Sequence, residues 1–194
     1  ETGKQRGRTG KYDESGIKAW EIKNKVFGVL GLGSIGRRVA ELAQGFDADV
    51  RYWSKHRKKD AEKKNIKYQD VDTLIPQCDF ISINFAQTKE TEKFLNAKRI
   101  NSLKKNAVVI NTAPMELVDI DALISRLAKD DITFIFDHSD ETDPKDMKKL
   151  SKYPSCIIYP PMAYITGEAR IVKQNMFAEN IESFLKGSPV NVAN

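Results

Sequence analysis

The chain has 194 residues, 40% hydrophobic and 30% charged, and its 32 basic and 27 acidic residues leave a formal net charge of +5. That length and balance suit one domain, or one and a part, with a core of normal size, and they exclude collagen-like, low-complexity and wholly disordered chains. Apolar runs are short and interrupted, so none is expected to span a bilayer, and no charged-then-apolar leader precedes them in a chain that begins at Glu1 rather than Met. Cys78 and Cys156 stand apart in apolar surroundings without metal-ligand spacing, so reduced thiols and a cytoplasmic setting are expected. The positive excess has a plain source in lysines on solvated helix faces and a sharper one in an anionic partner, which only local placement can separate.

Residues 1–25 are polar, glycine-bearing and weakly periodic, and read as an arm or linker anchored by Tyr12 or Trp20. From Val26 the pattern alternates. Val26–Leu30 is a short apolar strand, and Ile35, Val39, Leu42 and Ala43 recur at helical spacing. Val50–Trp53 reads as a strand, Arg57–Lys64 as a polar helix and Ile66–Tyr68 as a third strand, and Val71–Ile75 reads as a helix stopped by Pro76. Strands are expected at Phe80–Phe85, Ala107–Asn111, Ile132–Asp137 and Cys156–Tyr159, with an amphipathic helix over Asp119–Ala128. Glu168–Leu185 reads as a long helix with one apolar side. Short apolar strands alternating with helices predict an α/β, doubly wound parallel sheet in three layers, of the Rossmann type. The expected divisions are an arm at 1–25, the nucleotide-binding domain at 26–166, and a helix and tail at 167–194.

Gly31-Leu32-Gly33-Ser34-Ile35-Gly36 matches G-x-G-x-x-G. Glycine triplets occur by chance, but this one follows an apolar strand and opens an amphipathic helix, which is the confirming context. Gly31 suits a tight turn, Gly33 a close approach to a pyrophosphate and Gly36 close packing of helix on strand, while Ser34 adds a hydroxyl and free helix N–H groups face the anion. An acid roughly 20 positions after the turn ordinarily holds the ribose hydroxyls of NAD. Here Tyr52-Trp53-Ser54-Lys55-His56-Arg57-Lys58 carries none. Ser54, Lys55, Arg57 and Lys58 would attract a 2′-phosphate, so NADP(H) is expected, with NAD(H) as the alternative. The patch is local and has no nucleic-acid signature beside it, so no nucleic-acid partner is expected. His56 belongs with the basic cluster.

Several further segments carry a resemblance. Gly10-Lys11-Tyr12, Trp20-Glu21-Ile22-Lys23-Asn24-Lys25, Ile83-Asn84-Phe85-Ala86-Gln87-Thr88-Lys89-Glu90-Thr91, Val109-Ile110-Asn111-Thr112-Ala113 and Glu116-Leu117-Val118-Asp119 occur in the order found in the D-isomer-specific 2-hydroxyacid dehydrogenases, which include phosphoglycerate dehydrogenases and glyoxylate or hydroxypyruvate reductases. The chain resembles that family from about Gly10 to Gly187. The resemblance implies a coenzyme domain inserted into a substrate domain whose larger part lies before this sequence, with the last helix returning toward it. It implies coenzyme contacts at Ser34 and Ile35 on the pyrophosphate, Phe85 and Ala86 along the cofactor, Thr112 beside the nicotinamide ribose and Asp137 on the carboxamide. It also implies a homodimer paired through the arm, with Tyr12 and Trp20 as anchors.

The family's catalytic positions do not carry over. The Arg that clamps a substrate carboxylate is replaced by Pro114, the acid/base His by Pro161, and the Glu position reads Asp140. Proline has neither guanidinium nor titratable ring. His138 with Asp140 is a candidate substitute pair, which shares a side only if the strand continues, and Tyr164 is another acid/base candidate. Cys/His metal clusters, a G-x-S-x-G elbow and a Walker turn are missing, and the Asp130-Asp131 and Asp140-Glu141 pairs read as loop acids. The expectation is an oxidoreductase on the CH–OH group of a 2-hydroxy or 2-keto acid, against a second one of a coenzyme-binding protein without catalysis, acting in redox sensing or assembly.

Overall fold

Strand formation begins where apolar residues run together, and in the computed structural model, which describes residues 2–17 and 19–192, every such run joins one sheet. The strands are β1 Val26–Leu30, β2 Asp49–Trp53, β3 Lys67–Tyr68, β4 Phe80–Ile83, β5 Ala107–Asn111, β6 Ile132–Phe136 and β7 Cys156–Ile158. They lie in the order β3-β2-β1-β4-β5-β6-β7, and every pairing is parallel. Parallel neighbours need crossovers, and helices supply them: α2 Ser34–Gly45, α3 Lys59–Glu62, α4 Val71–Leu74, α5 Ala97–Ser102, α6 Ile120–Leu127 and α7 Pro144–Leu150. A short helix, α1 Thr2–Arg8, precedes the sheet, and α8 Gly167–Leu185 follows it.

Alternation along each strand sends side chains to two separate cores. Phe27, Val29, Val50, Tyr52, Phe80 and Val108 pack with Ala40 and Ala43 of α2 and Ala61 of α3. Leu30, Ile81, Ile83, Val109, Phe134 and Phe136 pack on the other face with Leu74, Ile100, Leu123, Leu127 and Leu150 of the remaining crossover helices. The run Phe134-Ile135-Phe136 is thus core, its two rings on one face and Ile135 half-buried on the other. Each fully buried large side chain contributes roughly 1.5–3 kcal/mol relative to exposure. Burial pushes the thiols of Cys78 and Cys156 up to about 12, so both stay protonated.

Several element bounds differ from the sequence expectation, each for a local reason. The helix expected at Arg57–Lys64 shrinks to Lys59–Glu62, because the Lys58 N–H donates to the Tyr52 hydroxyl at 2.6 Å and Asn65 takes a positive φ of 66°. The strand from Phe80 ends at Ile83, where the Asn84 amide turns back to donate to the Ser82 carbonyl at 3.0 Å. The α-helix before Pro76 ends at Leu74, one residue short of the expected Ile75, and Pro76 takes the second position of a 3₁₀ turn, Ile75–Gln77, where its missing N–H costs nothing. Three helices, α1, α5 and α7, were not anticipated; α5 is capped by the Asn96 side chain, which accepts from the Arg99 N–H at 3.0 Å, and α7 by Asp143 followed by Pro144. The long helix α8 lacks the single apolar side expected of it. It buries no residue, and Ile171, Met176 and Phe177 stand on different sides of it, each exposed. Of the divisions drawn from sequence, residues 1, 18, 193 and 194 lie outside the described residues.

Candidate functional site

The sheet order reverses between β1 and β4, since the chain builds outward through β2 and β3 on one side and then restarts on the other. A crevice opens at the carboxyl ends of the strands at such a switch point, and ligands of open parallel sheets bind there. The glycine turn leaves β1 at this place. Gly31 has φ +89°, and a Cβ there would sit 2.8 Å from the Asn84 carbonyl oxygen. Gly36 is packed against the Gly31 carbonyl so closely that an added Cβ would collide with it. Gly33 differs, for a Cβ on it would meet nothing within 4 Å. It caps α2 with no side-chain hydrogen bond, so the first N–H groups of the helix face outward. Gly33, Ser34 and Ile35 are the exposed residues of the turn, while Gly31, Leu32 and Gly36 are buried.

A cleft of about 420 Å³ joins this turn to the end of β2 and the loop after β4. Gly31 and Gly33 form its floor; Trp53, Ser54, Lys55, His56 and Lys58 form one wall; Asn84, Phe85, Ala86, Thr88, Glu90 and Thr91 form the other. Trp53, Phe85 and Phe94 pack edge to face or tilted, with centroids 4.6–6.1 Å apart, and hold the two walls together. Ser54 is buried and donates to the His56 carbonyl at 2.7 Å, which curls the segment after β2 into the cleft. Lys55 reaches Glu90 at 2.6 Å, and this contact holds the Glu90 carboxyl below the usual carboxylate range. Arg57 turns away. It grips Glu62 through two bonds of 2.6–2.7 Å, lies 5.3 Å over the Tyr68 ring and does not line the cleft.

At the next two strand ends, Thr112 follows β5 and Asp137 follows β6. Asp137 is 8% exposed, and its Oδ1 is buried without a hydrogen-bond partner. A buried acceptor left open costs about 1–3 kcal/mol unless a donor arrives from outside the chain. The amide of a nicotinamide is such a donor, and an open glycine at the helix start is a cradle for a diphosphate, so the residues present fit a nicotinamide dinucleotide. His138 stands beside Asp137, 4.0 Å from its Oδ1. Its Nδ1 lies 3.2 Å from Glu141 and its Nε2 3.3 Å from the Thr112 carbonyl. The carboxylate facing His138 is therefore Glu141 and not Asp140, which is exposed and makes no hydrogen bond with the ring. The strand stops at Phe136 and the chain turns back, with Thr142 Oγ1 donating to the His138 carbonyl at 2.7 Å, so spacing by three replaces the strand alternation that would have paired 138 with 140. Pro114 starts the 3₁₀ turn after β5, Pro161 follows β7, and Tyr164 beyond it is exposed, with Lys173 5.6 Å above its ring.

Sequence reading missed His56, Asn84, Glu90 and Glu141 as site residues. Asn84 and Glu90 lay within a segment already singled out by resemblance, but its side-chain directions depend on how the loop turns: the Thr88 N–H donates to Thr91 Oγ1 at 2.7 Å, and that hydroxyl donates to the Ala86 carbonyl at 3.0 Å.

Fold and cleft together define a dinucleotide-binding α/β domain. The chain matches the model of the family described as D-isomer specific 2-hydroxyacid dehydrogenase, NAD binding domain, over residues 1–163, and it belongs to that family. It is 34% identical over 175 residues to a glyoxylate reductase of Thermococcus litoralis, covering 89% of this chain and 53% of that protein. Among solved structures it is similar to a D-lactate dehydrogenase with NAD+ from Lactobacillus jensenii, with a TM-score of 0.82, 28% identity and coverage of 98% of this chain and 62% of that one. It is likewise similar to an acyclic imino acid reductase in complex with NADPH and D-Arg, with a TM-score of 0.84, 30% identity and coverage of 100% and 62%. The chain spans about half the length of the curated relatives it matches. Among the described residues, no helix is long and apolar enough to cross a membrane.

Proposed function

We propose that this chain is the NADP(H)-binding part of an oxidoreductase acting on a 2-keto or 2-hydroxy acid. The carrying observation is the cleft itself, in which the glycine turn faces Ser54, Lys55, His56 and Lys58 and the end of β2 offers no carboxylate. Lys55 and Lys58 supply charge toward a 2′-phosphate and Ser54 leaves room for it. Arg57 would join only by leaving Glu62. Both coenzymes should be titrated by tryptophan fluorescence. Wild type should favour NADPH, and Ser54→Asp should weaken NADPH by about tenfold or more, as a like charge placed against the phosphate costs roughly a kcal/mol or more. A wild type that favours NADH overturns the assignment.

Gly33, Ser34 and Ile35 would hold the diphosphate, Phe85 and Ala86 the adjoining face, Thr112 the ribose and Asp137 the carboxamide. Bound nicotinamide supplies or accepts the hydride. The chain's own task is then the proton, and with Pro114 and Pro161 at the positions the family resemblance assigns to Arg and His, the remaining ring is His138, backed by Glu141. Asp140 has no part in this reading. His138→Ala is expected to lower turnover of a 2-keto acid about 100-fold or more, the usual contribution of a positioned acid/base, with the NADPH dissociation constant held within about twofold. Turnover unaffected by the change removes His138 from the mechanism.

A second reading is favoured by the neighbour that is an imino acid reductase complexed with NADPH. An iminium substrate arrives already protonated on nitrogen, so a site lacking a proton donor at residue 161 can still reduce it. Assays of 2-keto acids with and without added amine separate the readings, since turnover only with amine supports the second. Coenzyme binding with no turnover in either supports a protein without catalysis.

The division into an arm at 1–25, a nucleotide domain at 26–166 and a returning helix at 167–194 belongs to this proposal, as does a homodimer paired through the arm. Its support is surface left open. Tyr12 is 87% and Trp20 45% exposed, and Ile110, Ile135 and Ile157, on the sheet face opposite α5, α6 and α7, are only half-buried. Two free buried cysteines fit a reducing compartment such as the cytoplasm.

A further inference from the structure

Lys55 and Glu90 belong to opposite walls of the cleft, one on the segment after β2 and the other on the loop after β4. Their 2.6 Å contact crosses the mouth between the walls. We propose that Glu90 is a specificity-determining residue, whose carboxylate holds the Lys55 ammonium and competes with the 2′-phosphate of NADPH for it. The inference rests on the NADP(H) reading above. Neither partner is fixed by burial, with side chains 69% and 74% exposed, so the pair is weak and opens readily when a stronger anion arrives.

The two sides of the contact are not equally free. Lys55 is a long, flexible chain with its ammonium at the end. Glu90 sits on a turn closed at both ends: the Thr88 N–H donates to Thr91 Oγ1 at 2.7 Å, the Thr91 N–H to the Thr88 carbonyl at 3.0 Å and the Glu92 N–H to the same carbonyl at 3.1 Å. A phosphate that draws Lys55 away therefore leaves Glu90 at the mouth, facing a dianion. A coenzyme without the 2′-phosphate meets no such repulsion. Glu90 thus narrows a preference for NADPH that the basic residues would otherwise make wide, acting from across the cleft where the end of β2 has no acid of its own.

The test is the pair of dissociation constants, for NADPH and NADH, read by tryptophan fluorescence at low ionic strength for wild type and Glu90→Gln. NADPH binding should tighten about three- to tenfold, the size of one near-surface charge contact, while NADH stays within about twofold. Raising the salt should shrink the gain, because exposed charges are screened. In a Lys55→Gln background, Glu90→Gln should tighten NADPH by less, since no ammonium is left to release. Tightening of both coenzymes alike, no change, or weaker NADPH binding overturns the proposal. A wild type that prefers NADH refutes the coenzyme assignment by itself. If Glu90→Gln still moves the NADPH-to-NADH ratio in that case, the role of Glu90 stands.

Discussion

Gly33→Val is expected to abolish coenzyme binding while leaving the domain folded. Gly33 has φ −79° and ψ −161°, a conformation open to any L residue, and an added Cβ meets nothing within 4 Å. The cost to the fold is then limited to the weaker helix cap, about 1 kcal/mol. The methyl groups would instead stand on the bare backbone at the start of α2, where the diphosphate must come within hydrogen-bonding distance of the N–H groups. Loss of that approach should raise the NADPH dissociation constant about 100-fold or more, which is roughly 2.7 kcal/mol. Fluorescence titration beside a thermal melt reads both quantities. Binding at wild-type strength by a folded Val variant would show that no diphosphate lies on this turn.

Gly36→Ala should do the reverse, damaging the fold first. The added methyl would overlap the Gly31 carbonyl oxygen and press on Val29, whose Cγ1 would lie at 3.3 Å. The first obstacle is backbone, held by the hydrogen bond from the Gly31 N–H to the Trp53 carbonyl at 2.8 Å, so no side chain can rotate away to make room. Alanine recovers up to about 1 kcal/mol of helix propensity, and overpacking costs about 1–3 kcal/mol or more, so a net loss of about 2 kcal/mol is expected. Urea denaturation measures it. An unchanged midpoint would mean that α2 does not pack on β1 as closely as described. The two glycines are three residues apart in one motif, yet one is needed for what lies outside the protein and the other for what lies inside.

The sheet was legible in the sequence because most of its strands are short apolar runs with β-branched or aromatic residues, as burial on both faces demands, while β2 showed instead as an alternation of buried and half-buried residues. The glycine turn was legible for a related reason, since the backbone there tolerates few residues. Of the helices that escaped notice, α5 and α7 are 6 and 7 residues long, too short for a periodic stripe to emerge. Their signals were the caps, Asn96 and the Asp143-Pro144 pair, which mark a start without saying how far a helix runs. In α8 the apolar residues are plain, but their distribution around the helix reads as one side only until the turns are built.

Residue types around the cleft were in view from the start, but their directions were not. Arg57 and Lys58 are adjacent and equally basic, yet Arg57 pairs with Glu62 and lies over Tyr68, whereas Lys58 lines the cleft. His138 was a candidate from its place after Asp137, but the choice between Asp140 and Glu141 depended on the strand ending at Phe136. The amino-acid order alone determined the parallel α/β sheet and the place of the glycine turn, because these rest on hydrophobic periodicity and on residue identity. Only the tertiary structure decided which charges face the cleft, which acid meets His138 and that Glu90 stands across from Lys55, because those contacts join loops far apart in the chain and follow from where each loop turns.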